Sequence, residues 1–428
     1  MHDVKENHHL HVNRLSTLIL LGCQKEPIVP PEAMYHKIAA GVDFSLAIDV
    51  YGDLYGMGTQ YYGLLANGLN SVIGVPEPTL LTPYFNLDDD EYFLSVHAGD
   101  RNALALTSNM RLFSWGWNVI GQTGTNKAGG TVLTPTDISP LLSLDDDEII
   151  VQIQTGNYHT MLLTSKSRVF GWGLNSHNQI GSSFANILLL RQEVTIYPFE
   201  ITHLFKLKRG ETLTHIGLHQ ALTSRNRYFG WSSYGIDADG FQSGAVNDMS
   251  HLIDFLETDE VVDQLLGNGS YIMTNQKHIY KTGILTGFID GKSQTVISYQ
   301  DISFLLEGAT LKPLIAEQEN NMIFVKSNRK VFVYGLNQYG IFGAGHDVRL
   351  AFFRITPNER DIEYVYEDVY WDIDWRIAEI PLEVSMSLYH TMMLTNQYRL
   401  FIWGRNASGE LGDGTFESSF EPQEVILS

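Results

Sequence analysis

The sequence predicts an all-β repeat protein, either a propeller or a solenoid, and three observations support this prediction. A motif of the form apolar-Phe-x-Trp-Gly-x-Asn recurs along the 428 residues. Each clear copy follows a second short apolar block, with a tight turn between the two. Hydrophobic residues make up 44% of the chain and charged residues 18%, so a large core can be buried. A repeat architecture therefore accounts for a length that would otherwise suggest about three domains.

The recurring motif sets the number of units. Four copies are clear, at residues 112–118, 169–175, 331–337 and 400–406. Three weaker copies lie at residues 54–58, 228–232 and 279–283. The aligned last positions of the Trp-Gly pairs fall at 58, 116, 173, 232, 283, 335 and 404. Seven copies at this spacing are typical of a propeller or solenoid array.

The block before each motif predicts a strand, a turn and a second strand. Residues 155–164 match residues 387–395, and both are short, apolar and bounded by Gly, Ser, Thr or Asn. His159 and His390 occupy the same position in this block. Because they recur at one strand position, we expect them to make structural hydrogen bonds and not to act in catalysis.

An acidic turn completes the unit. Triple aspartates at 88–90 and 145–147 precede a glutamate that recurs at 91, 148, 211 and 260. A calcium site is disfavoured, because the EF-hand spacing is missing and Lys208 and Arg209 occupy the same place in one copy. We expect a solvated acidic turn repeated on one face, and no metal site.

At this point the residues resemble a known family. Gly-x-x-His-Thr-x-x-Leu-Thr followed by Phe-x-Trp-Gly-x-Asn-x-x-Gly-Gln-x-Gly is similar to the regulator-of-chromosome-condensation (RCC1-like) repeat. The cleanest copies are residues 98–124, 155–181 and 387–412. The resemblance implies a seven-bladed β-propeller of four-stranded antiparallel blades, one domain over residues 38–428, and a bacterial-type member. Aromatic residues at 115, 172, 231, 334 and 403 should then fill the wedges between blades. Copy four lacks the glycine at 232, and copy five lacks the aromatic residue at 282.

The first residues leave two alternatives open. Leu20-Leu21-Gly22-Cys23 has the form of a lipoprotein cleavage box, which makes Cys23 a lipidation site and residues 23–37 a Pro-rich tether. Residues 1–22 would then be a signal segment, and the protein would lie at a bacterial cell surface. Alternatively, residues 18–24 are a worn copy of the motif strand that closes the ring beside a half-repeat at the C-terminus, in a cytoplasmic protein. The two alternatives exclude each other, because cleavage would remove the strand.

Charge and motif content exclude several classes of function. The net charge of −21 disfavours nucleic-acid binding, since such a body repels phosphate backbones. One cysteine excludes an internal disulfide framework, and no apolar run is long enough to span a membrane as a helix. The sequence contains no Gly-rich phosphate loop, nucleophile elbow or His-Glu-x-x-His. We therefore expect neither an enzyme nor a cofactor, and membrane contact only through the lipid anchor.

The longest interval between motifs contains a segment that breaks the pattern. Residues 359–376 interleave acids with aromatic residues, a composition that suits a protein-binding surface. The candidate binding residues are Tyr364, Tyr366, Asp368, Tyr370, Trp371, Asp372, Asp374 and Trp375. The alternative is a long edge strand whose aromatic side chains pack inward while its acids face water.

Three functions follow from this sequence. The preferred one is a non-enzymatic protein-interaction platform, a monomer whose partner is a protein with a basic surface. The resemblance implies a second, a guanine-nucleotide exchange factor for a small GTPase. Asp100 matches an acidic position that those members use, but their inserted β-wedge has no clear equivalent here. The third is a secreted inhibitor of an enzyme, again implied by the resemblance.

Overall fold

The protein is a seven-bladed all-β propeller, seen in a computed structural model. The structure describes residues 35–176, 178–181, 194–231, 246–257, 259–267, 269–289, 292–306, 313–318, 321–326, 328–335, 337–345, 354–355, 362–363 and 367–426. At residues 282–289, 292–299, 354–355, 362–363 and 367–368 it describes the backbone alone.

Each blade is one four-stranded antiparallel sheet, built from a continuous stretch of chain, with strands in sequence order from the axis outward. Blade 1 holds β1 Tyr35–Ala40, β2 Phe44–Asp49, β3 Leu54–Thr59 and β4 Gly74–Leu80. Blade 2 holds β5 Phe93–Ala98, β6 Asn102–Thr107, β7 Leu112–Trp117 and β8 Thr131–Asp137. Blade 3 holds β9 Ile150–Thr155, β10 His159–Thr164, β11 Val169–Leu174 and β12 Val194–Glu200. Blade 4 holds β13 Leu213–Ile216, β14 Gln220–Thr223, β15 Tyr228–Gly230 and β16 Asn247–Asp248.

The remaining three blades complete the ring. Blade 5 holds β17 Val262–Leu266, β18 Tyr271–Thr274, β19 Ile279–Ile289 and β20 Lys292–Asp301. Blade 6 holds β21 Leu314–Gln318, β22 Asn321–Val325, β23 Val331–Tyr334 and β26 Glu367–Val369, with a separate pair β24 Arg354–Ile355 and β25 Ile362–Glu363. Blade 7 holds β27 Pro381–Met386, β28 His390–Thr395, β29 Leu400–Gly404 and β30 Ser419–Val425.

Helical structure among the described residues is confined to single turns in the loops. One α-helical turn spans Ser139–Leu142, and the 3-10 turns span Tyr61–Gly63, Thr82–Tyr84, Thr202–Phe205, Ser250–Ile253, Ser303–Leu306 and Gln338–Gly340. None of the helices in the described part of the chain has the length and apolarity needed to cross a membrane.

The hydrophobic core is divided into clusters that lie between neighbouring blades. One joins blades 1 and 2, the next joins blades 2 and 3, and the last joins blade 7 back to blade 1. A single four-stranded sheet has two apolar faces, so it must be covered on both sides by its neighbours. The packing explains why the repeat recurs at a near-constant spacing.

The motif tryptophans lock the blades together, as predicted from their recurrence. Trp115, Trp172 and Trp403 are fully buried. Each indole Nε1–H donates to a backbone carbonyl in the third loop of the preceding blade: Trp115 to Leu64 at 2.9 Å, Trp172 to Gln122 at 3.1 Å, Trp231 to Gln179 at 2.9 Å and Trp403 to Ile341 at 2.8 Å. The bond satisfies a buried N–H and fixes the angle between two sheets.

The glycine after Trp115, Trp172 and Trp403 is required by the backbone. Gly173 has φ +101°, and a Cβ there would lie 2.3 Å from the carbonyl oxygen of Tyr158. No side chain fits at that distance, so the strand can close against the turn of its own blade only with glycine. This explains the Trp-Gly pair of the motif.

Among the described residues, the ring closes between blades 7 and 1 without a shared strand. Blade 7 has four strands drawn from residues 381–425, so the expectation that the last repeat lacks a strand is wrong. Met57 occupies the tryptophan position of blade 1, and the Ser45 Oγ–H donates to the Glu410 carbonyl instead, at 2.7 Å. Residues 1–22 and Cys23 lie outside the described residues. β1 begins at Tyr35, inside the predicted tether.

The recurring glutamate of the acidic turn is buried, which corrects part of the prediction. The aspartates at 88–90 and 145–147 are exposed, whereas Glu91 and Glu148 are 7% and 3% exposed. Glu148 accepts bonds from the Thr164 hydroxyl, the Asp145 N–H and the Arg168 guanidinium, the last at 2.9 Å. Arg168 continues to Glu200 on the outer strand at 3.0 Å. The glutamate therefore ties three strands of a blade together.

Candidate protein-binding surface

The propeller has two faces with different chemistry. We call the face formed by the turns between the first and second strands and the loops between the third and fourth strands the upper face. The lower face carries the other turns and the loops that connect blades. Exposed aspartates 88–90, 145–147, 372 and 374 lie on the lower face.

Aromatic and arginine side chains form a continuous band on the upper face. We call this band the aromatic arc, and its members are Tyr339, Tyr389, Arg405, Asp43, Tyr61, Tyr62, Arg101, Trp117 and Tyr158. They come from blades 6, 7, 1, 2 and 3 in turn. Tyr61, Tyr158 and Tyr339 are 41%, 39% and 37% exposed, and the other members are half-buried.

The rings in blades 1 to 3 contact one another in sequence. Tyr61 and Tyr62 have ring centroids 4.0 Å apart, Tyr62 and Trp117 6.0 Å, and Trp117 and Tyr158 6.1 Å. Tyr and Trp supply large contact areas with few rotatable bonds, and they are enriched where proteins bind one another. This half of the arc is thus a preformed apolar ledge.

The second half of the arc lies on blades 6 and 7. Tyr339 and Tyr389 meet edge to face with centroids 5.5 Å apart, and the Arg405 guanidinium lies 4.9 Å from the Tyr389 ring. Arg405 pairs with Asp43 of blade 1, with 2.5 Å between Nη1 and Oδ1. This ion pair connects the two halves across the joint where the ring closes.

Arg101 differs from the other arc cation. Its guanidinium lies 5.4 Å from the centre of the Tyr62 ring, and no carboxylate of the described residues lies within ion-pair distance of it. By contrast, Arg111, Arg168, Arg227 and Arg399 are each paired with two carboxylates. Arg101 is therefore a positioned positive charge on a strongly acidic protein.

Two tyrosines of the arc adopt a left-handed backbone. Tyr62 has φ 62° and Tyr339 has φ 62°, at equivalent positions in their blades. The equivalent residues of blades 2 and 7, Ile120 and Ser408, are absent from the left-handed residues of the described chain. A non-glycine residue in this region costs about 1 kcal/mol, and such strain concentrates at functional positions. The fold does not require it here.

A cavity of about 330 Å³ runs along the propeller axis. Burial raises the pKa of Glu317 and of Glu383 and lowers that of His97 to about 4. Lys37 lies 3.6 Å from Glu383. Such a lining can hold water or a small polar molecule, and in the described residues no group of three or more His, Cys, Asp or Glu could hold a metal ion.

Asp100, the position implied by the exchange-factor resemblance, lies at the upper mouth of this cavity. Its Oδ1 accepts a hydrogen bond from Gln318 Nε2 at 3.3 Å, and the same Nε2 lies 3.2 Å from Asn157 Oδ1. Asp100 precedes Arg101 in the turn. The predicted acidic position therefore borders the aromatic arc.

The part of the predicted acidic and aromatic insert that follows Asp368 in the described chain is separate from the arc, on the lower face. Tyr370 is 79% exposed, and Asp372 and Asp374 are exposed. Trp371 is buried, and its Nε1–H donates to the Phe342 carbonyl at 2.9 Å, so a partner cannot contact it in this structure. Trp375 is half-buried beneath Arg329, with 4.9 Å from the guanidinium to the ring.

Three further residues of that prediction cannot be placed by their side chains. Tyr364 and Tyr366 lie outside the described residues, and Asp368 lies in β26, where only the backbone is described. The buried Trp371 and the exposed Asp372 and Asp374 agree with the packing of the edge-strand alternative. Its long strand is not seen in the described residues, because β26 ends at Val369 and Tyr370 is exposed.

The aromatic arc was missed because its residues occupy the variable positions of the repeat. Trp117 and Arg405 stand at the x of Trp-Gly-x-Asn. Arg101, Tyr158 and Tyr389 stand directly before the second strand. A comparison of the copies at those two positions alone would have shown aromatic and arginine residues in most blades of one half of the ring.

The recurring histidines are not placed for catalysis. His390 is fully buried, with Nε2 2.7 Å from Ser45 Oγ and Nδ1 3.0 Å from Ser387 Oγ. Burial lowers the pKa of His390 to about 3, so it is neutral. The ring of His159 stacks on His219 at 4.9 Å. The structural hydrogen bond predicted for His390 is confirmed.

Comparison with known proteins identifies the repeat in part of this chain. The regulator of chromosome condensation (RCC1) repeat matches residues 111–163, and a second family with the same description matches residues 150–179. The ultraviolet-B receptor UVR8 of Arabidopsis thaliana is 30% identical over 34% of this chain and 30% of the receptor. An RCC1 repeat-containing protein of Dictyostelium discoideum is 28% identical over 46% of this chain and 39% of that protein. The chain thus matches well under half the length of these relatives.

Two solved structures align with most of this chain at TM-scores below 0.5. Human WBSCR16 has a TM-score of 0.46 and 21% identity, covering 92% of this chain and 82% of its own. Yeast RCC1 (Prp20), in its complex with Kap60, has a TM-score of 0.48 and 16% identity, covering 91% of this chain and 74% of its own. The two relatives named above come from a plant and an amoeba, and they give no support to the expected bacterial origin. Residues 111–179 of this chain thus match RCC1 repeats, and these repeats lie within a seven-bladed β-propeller.

Proposed function

We propose that this protein is a non-enzymatic protein-interaction platform whose docking surface is the aromatic arc. The observation that carries the proposal is the coincidence of exposed Tyr and Trp rings, positioned arginines and a strained backbone on one face. Tyr, Trp and Arg are the residues that dominate binding energy at protein interfaces. The net charge of −21 argues against a nucleic-acid partner.

Affinity capture with matched variants tests the proposal. Wild-type protein, the double variant Trp117→Ala and Tyr158→Ala, and the lower-face control Tyr84→Ala are used as baits, and captured proteins are quantified by mass spectrometry. Tyr84 is 47% exposed, so its substitution removes a ring without disturbing the core. We expect partners that the control retains and the double variant loses. Equal capture by all three baits would contradict the assignment of the surface.

The exchange-factor alternative has one specific observation in its favour. In blade 5 the backbone of β19 and β20 continues as a paired hairpin to Ile289 and Lys292, well past the Gly283 position where the motif ends. The hairpin extends from the upper face, where Asp100 also lies. An inserted hairpin was not expected from the sequence.

Nucleotide release measures that alternative directly. The protein is added to a panel of small GTPases loaded with a fluorescent nucleotide. Acceleration that is lost in Asp100→Asn would support an exchange factor, and no acceleration across the panel would dismiss it. The secreted-inhibitor alternative rests on the resemblance alone.

Surface display through a lipid on Cys23 stays a prediction. It is tested by mass spectrometry of the mature N-terminus from the native source. A chain that begins at lipid-modified Cys23 would support it, and an intact Met1 would end it.

A further inference from the structure

We propose that the aromatic arc binds an extended peptide segment that carries a carboxylate beside apolar or aromatic side chains, with the carboxylate paired to Arg101. This inference rests on the proposed function and adds the chemistry of the partner. It concerns the half of the arc on blades 1 to 3, where Arg101 lies over the Tyr62 ring and the rings of Tyr61, Trp117 and Tyr158 continue the band.

The charge of Arg101 points to an acidic ligand. The guanidinium lies over the Tyr62 ring, with its carbon 5.4 Å from the ring centre. No carboxylate of the described chain pairs with it, whereas Arg405 at the other end of the arc is already satisfied by Asp43. A fixed planar fork is suited to two parallel hydrogen bonds with a carboxylate.

The shape of the ledge points to an extended segment. The three distances between successive ring centroids from Tyr61 to Tyr158 add up to about 16 Å along the band. This path is as long as about five residues of extended chain. Apolar side chains on either side of the acid would lie on the rings and exclude water from the ion pair. Exclusion of water strengthens the pairing.

The surroundings disfavour other partners. A basic segment would meet Arg101 with like charge, and the carboxylates that would attract it lie mostly on the lower face. The backbone strain at Tyr62 supports a binding role, because the equivalent residues Ile120 and Ser408 of blades 2 and 7 avoid it. A tyrosine retained in a left-handed conformation gains from what it contacts outside the blade.

Selection from a displayed library of random peptides tests the proposal, with the full-length protein as target. We expect selected peptides to share an Asp or Glu flanked by aromatic, Leu or Pro residues. Peptide affinity is then measured by fluorescence anisotropy for the wild type and four variants: Arg101→Gln, Arg101→Lys, Tyr62→Gly and the lower-face control Tyr84→Ala. Thermal unfolding of each variant shows whether it is folded.

The expected pattern separates the partner chemistry from the platform itself. Arg101→Gln should weaken binding by about tenfold or more, Arg101→Lys should restore part of it, and Tyr84→Ala should leave it unchanged. Tyr62→Gly should bind weakly while remaining folded, because relief of the left-handed backbone offsets part of the packing lost with the ring. That combination excludes a purely structural role for the tyrosine.

Five outcomes would overturn the inference. Selected peptides without acids, or binding that Arg101→Gln leaves intact but Tyr62→Gly abolishes, would remove the acidic partner and keep the platform. Binding that is indifferent to every arc variant would remove both. Failure to select any peptide would reject the extended segment. Self-association in sedimentation velocity that Trp117→Ala abolishes would assign the surface to a second copy of the chain instead.

Discussion

The three joints that connect blades 1, 2, 3 and 4 in succession are built differently from the joints on either side of blade 5. In the first three, a tryptophan indole donates to a carbonyl of the preceding blade. Thr282 takes the tryptophan position of blade 5, and Tyr334 takes that of blade 6. There Lys281 is buried, with Nζ 4.6 Å from the centre of the Tyr334 ring and 5.5 Å from that of Tyr271.

The difference shows what the repeat motif encodes. The residues that recur in most copies fix one blade against the next. The residues at the variable positions are free to face solvent. The half of the aromatic arc on blades 1 to 3 is built on joints that a tryptophan locks. We infer that rigid joints keep the rings at fixed positions relative to one another. Contacts of a few ångströms between rings on different blades need neighbouring sheets at a fixed angle.

The largest effect should come from removing a tryptophan lock. Trp115→Ala empties a fully buried site and loses the bond to Leu64, so we expect a cost of about 3–5 kcal/mol in unfolding free energy. Trp117→Ala, two residues along the same strand, removes a half-buried ring on the upper face and should cost less than about 1 kcal/mol. Denaturant unfolding of both variants measures the contrast. Equal losses would show that the indole lock does not set the joint.

The buried glutamate of a locked blade should have the next largest effect. Burial disfavours the charge of Glu148, but donors from Thr164, Asp145 and Arg168 outweigh it and hold the pKa of that carboxyl below its usual range. Glu148→Gln should cost about 2–3 kcal/mol at neutral pH, since Arg168 loses its buried partner. The exposed neighbour variant Asp146→Asn should cost little.

The sign of the pH dependence follows from the lowered pKa. The unfolded carboxyl takes up its proton at higher pH than the folded one, so the stabilisation is complete above about pH 4.3 and is lost as pH falls further. Glu148→Gln should therefore lose stability less steeply than the wild type in acid. If wild type and Glu148→Gln lost unfolding free energy equally steeply as the pH falls, the glutamate would not be the source of the acid sensitivity.

The closing joint between blades 7 and 1 should be weakened at mildly acidic pH. Burial lowers the pKa of His390 to about 3, far below its value in the unfolded chain, so the unfolded state binds the extra proton between those pH values. Its contribution is present above about pH 6.5 and falls by about 2 kcal/mol by pH 5. His390→Gln should flatten this part of the curve of unfolding free energy against pH. An unchanged slope would contradict the assignment.

The smallest effect should be a gain in blade 5. His278 stands where blades 2, 3, 4 and 7 have arginine, and its Nδ1 lies 2.8 Å from Glu260. Asp301 pairs with Tyr280 in the register that places an acid beside the arginine of the other blades. His278→Arg should reach both acids and raise the unfolding temperature, with about 1 kcal/mol gained. Lys277→Arg, next to it on the surface, should change nothing measurable.

The fold was predictable from the sequence because its strongest determinants are local and repeated. The Trp-Gly pair requires a buried ring and a left-handed glycine in one strand, and both follow from the letters alone. The burial of Glu148 was not predictable, since its partner Arg168 is 20 residues away. The aromatic arc was harder to predict, because its members come from different blades and stand at the variable positions of the repeat.

The closing joint has a consequence for topology. β1 and β28 lie side by side, and the Tyr35 N–H donates to the Tyr398 carbonyl at 3.1 Å, so strands from opposite ends of the sequence meet without exchanging a partner. No sheet would be cut if a short linker joined Ile426 to Tyr35 and new termini were opened between blades 4 and 5. Such a circular permutant should assemble the same ring, with its seam moved away from the aromatic arc.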